Sequence, residues 1–177
     1  EQTWYGLLFG AAAGWQPGES SIPAFQRSFG LLFHGDTTGL IDAAHRHLIE
    51  AHRLLQSTRA GDASSYLFFV DPFSSEGVVD LQRLRPQLTA VRVQAESAVV
   101  KILQARQQQR HLRELTALDA MELGARRIDW IGAKFQTADE IVTAYSKATE
   151  PGRTNVSWVD LAELSGINGR LQDMRDG

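Results

Sequence analysis

The stretch Leu81–Ala105, LQRLRPQLTAVRVQAESAVVKILQA, decides the fold of this chain. Its apolar residues recur at alternating intervals of three and four, which is close to the heptad spacing of a helix that packs along one face. These residues are Leu81, Leu84, Leu88, Val91, Ala95, Ala98, Ile102 and Ala105. Because Pro86 has no backbone N–H, it predicts either a kink or the true start of the second half of this helix.

More helices are predicted around this seam. Apolar residues repeat in the same way from Leu115 to Tyr145, and the polar segment Gln104–Arg110 is expected to turn the chain between the two long helices. A helix that begins at Ser20 or Ser21 should end at Gly35, and the next should be capped by Asp36 or Thr37, continue through Leu55 and end before Gly61-Asp62. Long antiparallel helices with short connections are typical of a helical bundle, so the predicted fold class is all-α.

Two segments depart from helical spacing. Residues 66–73, YLFFVDPF, are predicted to be a packed connector or a short extended piece that ends at Asp71-Pro72. Residues 4–15, WYGLLFGAAAGW, are apolar on every side and contain three glycines. A segment that is buried on all faces is typical of an inner strand of an α/β barrel, so we expect a remnant barrel strand there. Beyond Glu150, two short helices are predicted over 158–164 and 168–176.

Composition limits the classes of function. The 177 residues carry a net charge of −3, with 43% hydrophobic and 22% charged residues, which fits one globular domain. A general nucleic-acid-binding domain is usually strongly basic, and no apolar run reaches the roughly 18 residues of a membrane span. The sequence therefore predicts neither a nucleic-acid partner nor a membrane partner. The absence of cysteine excludes disulfides, thiolate nucleophiles and cysteine zinc sites.

Histidines and carboxylates are the candidate metal-ligating and catalytic side chains of this sequence. Four histidines fall between residues 34 and 52, namely His34, His45, His47 and His52. His47 and Glu50 share a helix face, which leaves a metal-dependent bundle enzyme as a weak alternative, but no matching ligand motif lies on the other helices. Asp119 and Glu122 fit ordinary surface charges. The sequence thus predicts no catalytic residue, no metal ligand and no cofactor.

The motif Ala11-Ala-Ala-Gly-Trp15-Gln-Pro17, followed by a helix with Phe25 and Phe29, resembles the end of the catalytic domain of glycoside hydrolase family 20, the β-N-acetylhexosaminidases. Ala12 stands where that family commonly has glutamate. Three later stretches look like the helical C-terminal extension of large bacterial members: Asp71-Pro-Phe-Ser, Leu123-Gly-Ala-Arg-Arg-Ile-Asp and Ile167-Asn-Gly-Arg-Leu-Gln-Asp.

The resemblance implies two parts: residues 1–35 as the last strand and helix of a barrel-like catalytic domain, and residues 36–177 as a helical bundle truncated at its end. It implies a non-catalytic region that supports the catalytic barrel of its parent chain. The parent would act on N-acetylhexosaminides, be periplasmic or secreted, and contact carbohydrate, with Trp15 and Trp4 as candidate sugar-stacking residues.

A second hypothesis is a stand-alone helical protein–protein interaction module. In that hypothesis the seam from Leu81 to Ala105 docks a partner helix or a second copy of the chain, so a homodimer is expected.

Overall fold

The computed structural model describes residues 4–15, 17–57, 62–148 and 166, so the helices predicted over 158–164 and 168–176 lie outside the described residues. The described part is an all-α bundle, as the sequence predicts. Its α-helices are α1 Trp4–Trp15, α2 Ile22–Phe29, α3 Leu40–Gln56, α4 Ala63–Phe69, α5 Ser75–Leu84, α6 Leu88–Gln108 and α7 Leu115–Ala148. None of the helices in the described ranges is long and apolar enough to cross a membrane.

The core lies where α6 packs between α3 and α7. All eight seam residues from Leu81 to Ala105 are buried, and none is more than 5% exposed. The seam is therefore covered within the chain itself, and it offers no surface to a partner helix. An interaction module would have to use a different face of the molecule.

The N-terminal segment differs from the prediction. Residues 4–15 form helix α1, so the expected strand is wrong for this structure. A strand needs a neighbour to pair with its N–H and C=O groups, whereas a helix satisfies these groups within one segment. Among the described residues α1 packs mainly beside α2, where no strand is formed.

The predicted connector at residues 66–73 is wrong over its first half, because residues 66–69 belong to helix α4. The Asp62 carboxylate accepts a hydrogen bond from the Ser65 backbone N–H at 3.0 Å, so it caps the first turn. The helix ends at Val70, which is extended, and Asp71-Pro72 follows outside it as predicted.

Lys134 joins α4 to α7. Its ammonium donates hydrogen bonds to the backbone carbonyls of Leu67, Phe68 and Val70, at 2.6, 3.0 and 2.8 Å. These carbonyls lie at the C-terminal end of α4, where helical partners run out and a positive charge is favourable. Burial lowers the pKa of Lys134 to about 8, with the Asp71 carboxylate opposing that shift.

The connection between α5 and α6 is a single turn of 3₁₀-helix, Arg85–Gln87, so Pro86 does mark the start of the second helical half. At the other end of α5, Gly77 lies against the chain that precedes it. A β-carbon added there would stand 2.0 Å from the Asp71 carbonyl oxygen and 2.7 Å from the Pro72 Cα. Only glycine fits this close approach of two backbones.

The variant Gly77→Ala is expected to lower the free energy of unfolding by about 1–3 kcal/mol, because the 71–73 loop must move to admit the methyl group. Urea unfolding followed by circular dichroism measures this. The matched control is Gly10→Ala in α1, where an added β-carbon meets nothing within 4 Å. Equal stability of the two variants would contradict the close approach.

Candidate functional site

The surface formed by α1, α2 and the turn that follows α2 exposes several large apolar side chains. Helix α2 begins where Ser21 Oγ accepts from the Ala24 N–H at 3.2 Å, with Pro23 in the first turn. Its phenylalanines meet α1 edge to face: the Tyr5 ring lies 5.2 Å from Phe25 and 4.9 Å from Phe29. Ring contacts of this kind help to hold the two helices together.

An open groove of about 340 Å³ runs along this hairpin. We call it the Trp15 groove, and its lining is entirely apolar: Leu8, Ala11, Ala12, Trp15, Phe25, Phe29, Leu32 and Phe33. Trp15 is 90% exposed and Leu32 is 69% exposed, and Leu7 beside them is 60% exposed. A contiguous exposed apolar surface of this kind is rare on monomeric proteins and is typical of an interaction site.

The two tryptophans predicted to bind sugar are not brought together. Trp4 begins α1 and Trp15 ends it, so a helical rise of about 1.5 Å per residue separates their backbones by roughly 16 Å. The Trp4 side chain lies outside the described residues. Trp15 lies among apolar neighbours, whereas a sugar site places polar groups beside its stacking ring. Sugar stacking by Trp15 and Trp4 stays a prediction.

Beside the groove, α2 runs into a single π-helical turn, Gly30–His34, which we call the polar turn. Single π turns inside helices occur frequently at functional sites. Asp42 Oδ1 accepts from the Gly30 N–H at 2.6 Å, and a β-carbon at residue 30 would lie 2.9 Å from that oxygen. A side chain at residue 30 would therefore displace the Asp42 carboxylate from this bond. Gly35, at φ +72°, then ends the turn as predicted.

Asp36 anchors the loop that follows. Its carboxylate accepts from the Thr38 N–H at 2.8 Å, the Ile41 N–H at 2.7 Å and Gln109 Nε2 at 2.6 Å. The sequence predicted Asp36 or Thr37 as the cap of α3. The N-cap residue is instead Gly39, at φ +75°, and Asp36 satisfies the Ile41 N–H from three residues before it. Burial alone would raise the pKa of Asp36, but these hydrogen bonds outweigh it and hold the pKa below its usual range.

The polar turn is also held from the far side of the bundle. The Arg113 N–H donates to the His34 carbonyl at 2.8 Å, and His34 Nδ1 lies 3.2 Å from the Arg113 carbonyl. Arg113 Nη2 donates to the Leu32 carbonyl at 2.9 Å. These bonds cross residue 35, the predicted domain boundary, and tie α2 to the α6–α7 connection. The boundary itself stays a prediction.

Next to the polar turn lies a half-enclosed cavity of about 250 Å³. We call it the histidine cavity, because His34, His45 and His52 line it together with Tyr5 and apolar side chains of α2, α3 and α7. The His45 ring stacks on Tyr5 at 4.7 Å and meets Phe29 edge to face at 4.9 Å. Burial lowers the pKa of His45 to about 4, and His34 adds to that shift. Burial likewise lowers the pKa of His34.

This arrangement predicts acid sensitivity. His45 is neutral in the fold down to a pKa of about 4, whereas in the unfolded chain it takes a proton near its ordinary value of 6.5. The stability that the neutral His45 imidazole contributes is therefore fully present above pH 6.5. It is lost as the pH falls from 6.5 toward 4. A shift of this size corresponds to at most about 3 kcal/mol.

Urea unfolding between pH 4 and 7.5 measures the loss, and His45→Phe is expected to reduce it because the variant keeps a ring and removes one titrating group. Burial also lowers the pKa of His34 and of His52, so these two histidines keep their share of the loss. The control is His111→Phe, at an exposed histidine. A pH profile that is identical in wild type and His45→Phe would contradict the buried neutral imidazole.

The geometry of His47 and Glu50 does not favour the weak hypothesis of a metal site, because both side chains have other partners. His47 Nδ1 contacts Gln94 Oε1 at 2.7 Å, and Glu50 is held by Arg53 at 2.6 Å. No cluster of three or more metal-ligating residues occurs in the described part of the chain. Asp119 and Glu122 pair with Arg106, and Glu122 also pairs with Arg126 at 2.9 Å, so they act as helix surface charges.

Asp42, Arg113 and Gln109 belong to this site although no sequence pattern predicts them. Asp42 follows a buried position in α3 and carries no local motif, while Arg113 and Gln109 act on residues more than 70 positions away. Comparison with protein-family models, with curated proteins and with solved structures found no match to this chain.

Proposed function

We propose that this chain is a non-catalytic C-terminal helical region of a multidomain glycoside hydrolase acting on N-acetylhexosaminides, and that it supports the catalytic barrel through α1 and α2. The family part of the proposal rests on the resemblance of residues 11–17 and the α2 phenylalanines. The observation that carries the supporting role is the Trp15 groove, where an uncharged helix leaves Trp15 90% exposed.

Energetics favours a covering partner at this surface. Fully burying one large apolar side chain stabilises by about 1.5–3 kcal/mol, and Leu7, Trp15 and Leu32 all remain more than half exposed. A helix that is apolar on every side is normally buried on every side. The catalytic barrel of the parent chain is the partner that the resemblance supplies.

The test compares the chain alone with the longer natural protein that carries it. The longer protein is expected to release N-acetylhexosamine from a chromogenic N-acetylhexosaminide, and the 177-residue chain is not. Activity in the 177-residue chain, or none in the longer protein, would overturn the proposal.

A matched pair of variants tests the surface itself. Leu32→Asp changes the groove, and Leu123→Asp changes an equally exposed leucine on α7, 66% against 69% exposed. In the longer protein Leu32→Asp is expected to lower the melting temperature by about 5 °C, with little change for Leu123→Asp. In the chain alone both variants should be tolerated. Equal effects of the two variants in the longer protein would exclude α1–α2 as its contact.

The stand-alone interaction module remains the second candidate, because the same groove would serve a separate protein or a second copy. The two candidates differ in solution. A module that pairs with itself forms a concentration-dependent dimer that Leu32→Asp disrupts, whereas a region made to cover its own barrel yields a longer protein that is monomeric and insensitive to dilution.

A further inference from the structure

We infer that the N-terminal arm, formed by α1 and α2, is a pH-sensitive element that detaches from the rest of the bundle in acid, because the His45 ring through which it contacts α3 then becomes charged. This inference does not rest on the proposed function. It follows from the separation of the arm from the core, from the position of His45 between them and from the groups that surround its ring.

The arm is separate from the core. The two clusters of buried apolar side chains that form the core include residues of α3, α4, α5, α6 and α7, and no described residue of α1 or α2 belongs to either cluster. Within the arm, rings join the two helices: Phe25 lies 5.2 Å from Tyr5 and 5.3 Å from Phe9. The arm can therefore move as one unit while the core stays packed.

His45 of α3 contacts both helices of the arm. Its ring stacks on Tyr5 of α1 at 4.7 Å and meets Phe29 of α2 edge to face at 4.9 Å. The polar turn that follows α2 is held separately, since Asp42 accepts from the Gly30 N–H and Arg113 donates to a carbonyl of the turn. Opening of the arm therefore leaves the polar turn in place and bends the chain near Gly30.

A charge on His45 has no opposite charge beside it. The ionisable groups that line the histidine cavity are Tyr5 from α1, His34 from the polar turn and His52 from α3 itself, while α7 contributes only alanine, methionine and glycine. The carboxylate of Asp42, one turn before His45 on α3, accepts from the backbone of the polar turn. An imidazolium is therefore poorly solvated in the closed arm, and opening of the arm admits water to it.

The direction and size of the effect follow from the two states of His45. In the closed arm, burial and the neighbouring His34 lower the pKa of His45 to about 4, whereas a solvated imidazole takes a proton near 6.5. The closed arm is therefore fully favoured above pH 6.5 and loses this advantage as the pH falls toward 4. Between pH 7 and pH 5 the ratio of open to closed molecules is expected to rise about tenfold to thirtyfold.

Hydrogen–deuterium exchange of the full chain at pH 7 and pH 5 measures this opening, once the rates are corrected for the intrinsic pH dependence of exchange. The protection of the α1 amides is expected to fall by the same factor, about tenfold to thirtyfold. At pH 5 these amides should also exchange at least about tenfold faster than the amides of α6, because the arm opens without unfolding of the core.

Variants of His45 test the cause. His45→Phe keeps a ring and cannot take a proton, so the fall in α1 protection between pH 7 and pH 5 should shrink to less than about threefold. His111→Phe, at an exposed histidine, is the matched control and should retain the full fall. His45→Lys carries its charge at neutral pH, so its α1 amides should already exchange at pH 7 about as fast as those of wild type at pH 5, after the same correction.

Three results would overturn the inference. The first is α1 protection that is equal at pH 7 and pH 5. The second is exchange of α1 and α6 at the same corrected rate at pH 5, which would mean that the arm opens only when the whole bundle unfolds. The third is a full fall in protection in His45→Phe, or wild-type protection at pH 7 in His45→Lys.

Discussion

Replacing Asp36 by alanine is expected to lower the free energy of unfolding by about 3–5 kcal/mol, because four hydrogen bonds to one buried carboxylate are lost together. The side chain is 2% exposed, so water does not replace its oxygens at the Thr38 and Ile41 N–H groups. These groups are left unsatisfied at the start of α3, and Gln109 loses one of its bonds to this loop, while its Oε1 still accepts from the Thr37 N–H at 2.9 Å. Urea unfolding followed by circular dichroism measures the loss.

The matched control is Asp119→Ala. Asp119 is 66% exposed at its side chain and, within the described ranges, pairs only with Arg106, and exposed ion pairs contribute about 0–1 kcal/mol. Asp36→Asn is expected to fall between the two, since an amide oxygen keeps part of the bonding and its N–H₂ group meets the Thr38 and Ile41 donors. A cost below about 1 kcal/mol for Asp36→Ala would show that the loop finds other partners.

Replacing Phe135 by alanine is expected to cost about 3–5 kcal/mol, the usual range for removing a large ring from a packed core. Phe135 is fully buried on α7, within the cluster that joins α3, α4, α6 and α7. The cavity left behind would remove packing contacts between several helices at once. The Lys134 ammonium, 5.1 Å from the centre of the ring, would also lose a cation–π contact.

Phe69→Ala is the control for this prediction, because Phe69 is 80% exposed at the end of α4 and should cost less than about 1 kcal/mol. Thermal unfolding of both variants at one protein concentration measures the difference. Similar losses for the two variants would mean that α7 is not part of the core.

The long helices could be predicted because each buries one face. Burial of one face requires apolar residues at intervals of three and four, and this spacing is visible in the sequence. Leu81, Leu88 and Ile102 show this clearly. The N-terminal segment was predicted wrongly for the opposite reason. A run that is apolar on every side has no period, so residues 4–15 carried no signal that distinguishes a helix from a buried strand. In α4, seven residues were too few for a pattern, and the Asp62 cap was the signal that remained.

The candidate site likewise contains features that local sequence predicts and contacts that it does not. Gly35 could be predicted, because a glycine that ends a helix acts within a few residues. The cap of α3 was predicted two or three residues too early, at Asp36 or Thr37 rather than at Gly39. The bonds from Gln109 to Asp36 and from Arg113 to His34 span 73 and 79 positions. Such contacts depend on how α6 returns to α2, and no local composition encodes that. The π turn at Gly30 likewise follows from Asp42, which packs against it in space.

Lys134 can serve as a probe of the bundle in chemical footprinting. The chain has three lysines, at positions 101, 134 and 147, and the Lys134 amine donates to three backbone carbonyls. An acylating reagent needs an amine whose lone pair is accessible, so Lys134 should react faster when α4 moves away from α7. The rate at which this one amine is labelled, relative to Lys101, thus reports how often α4 detaches while the long helices stay together.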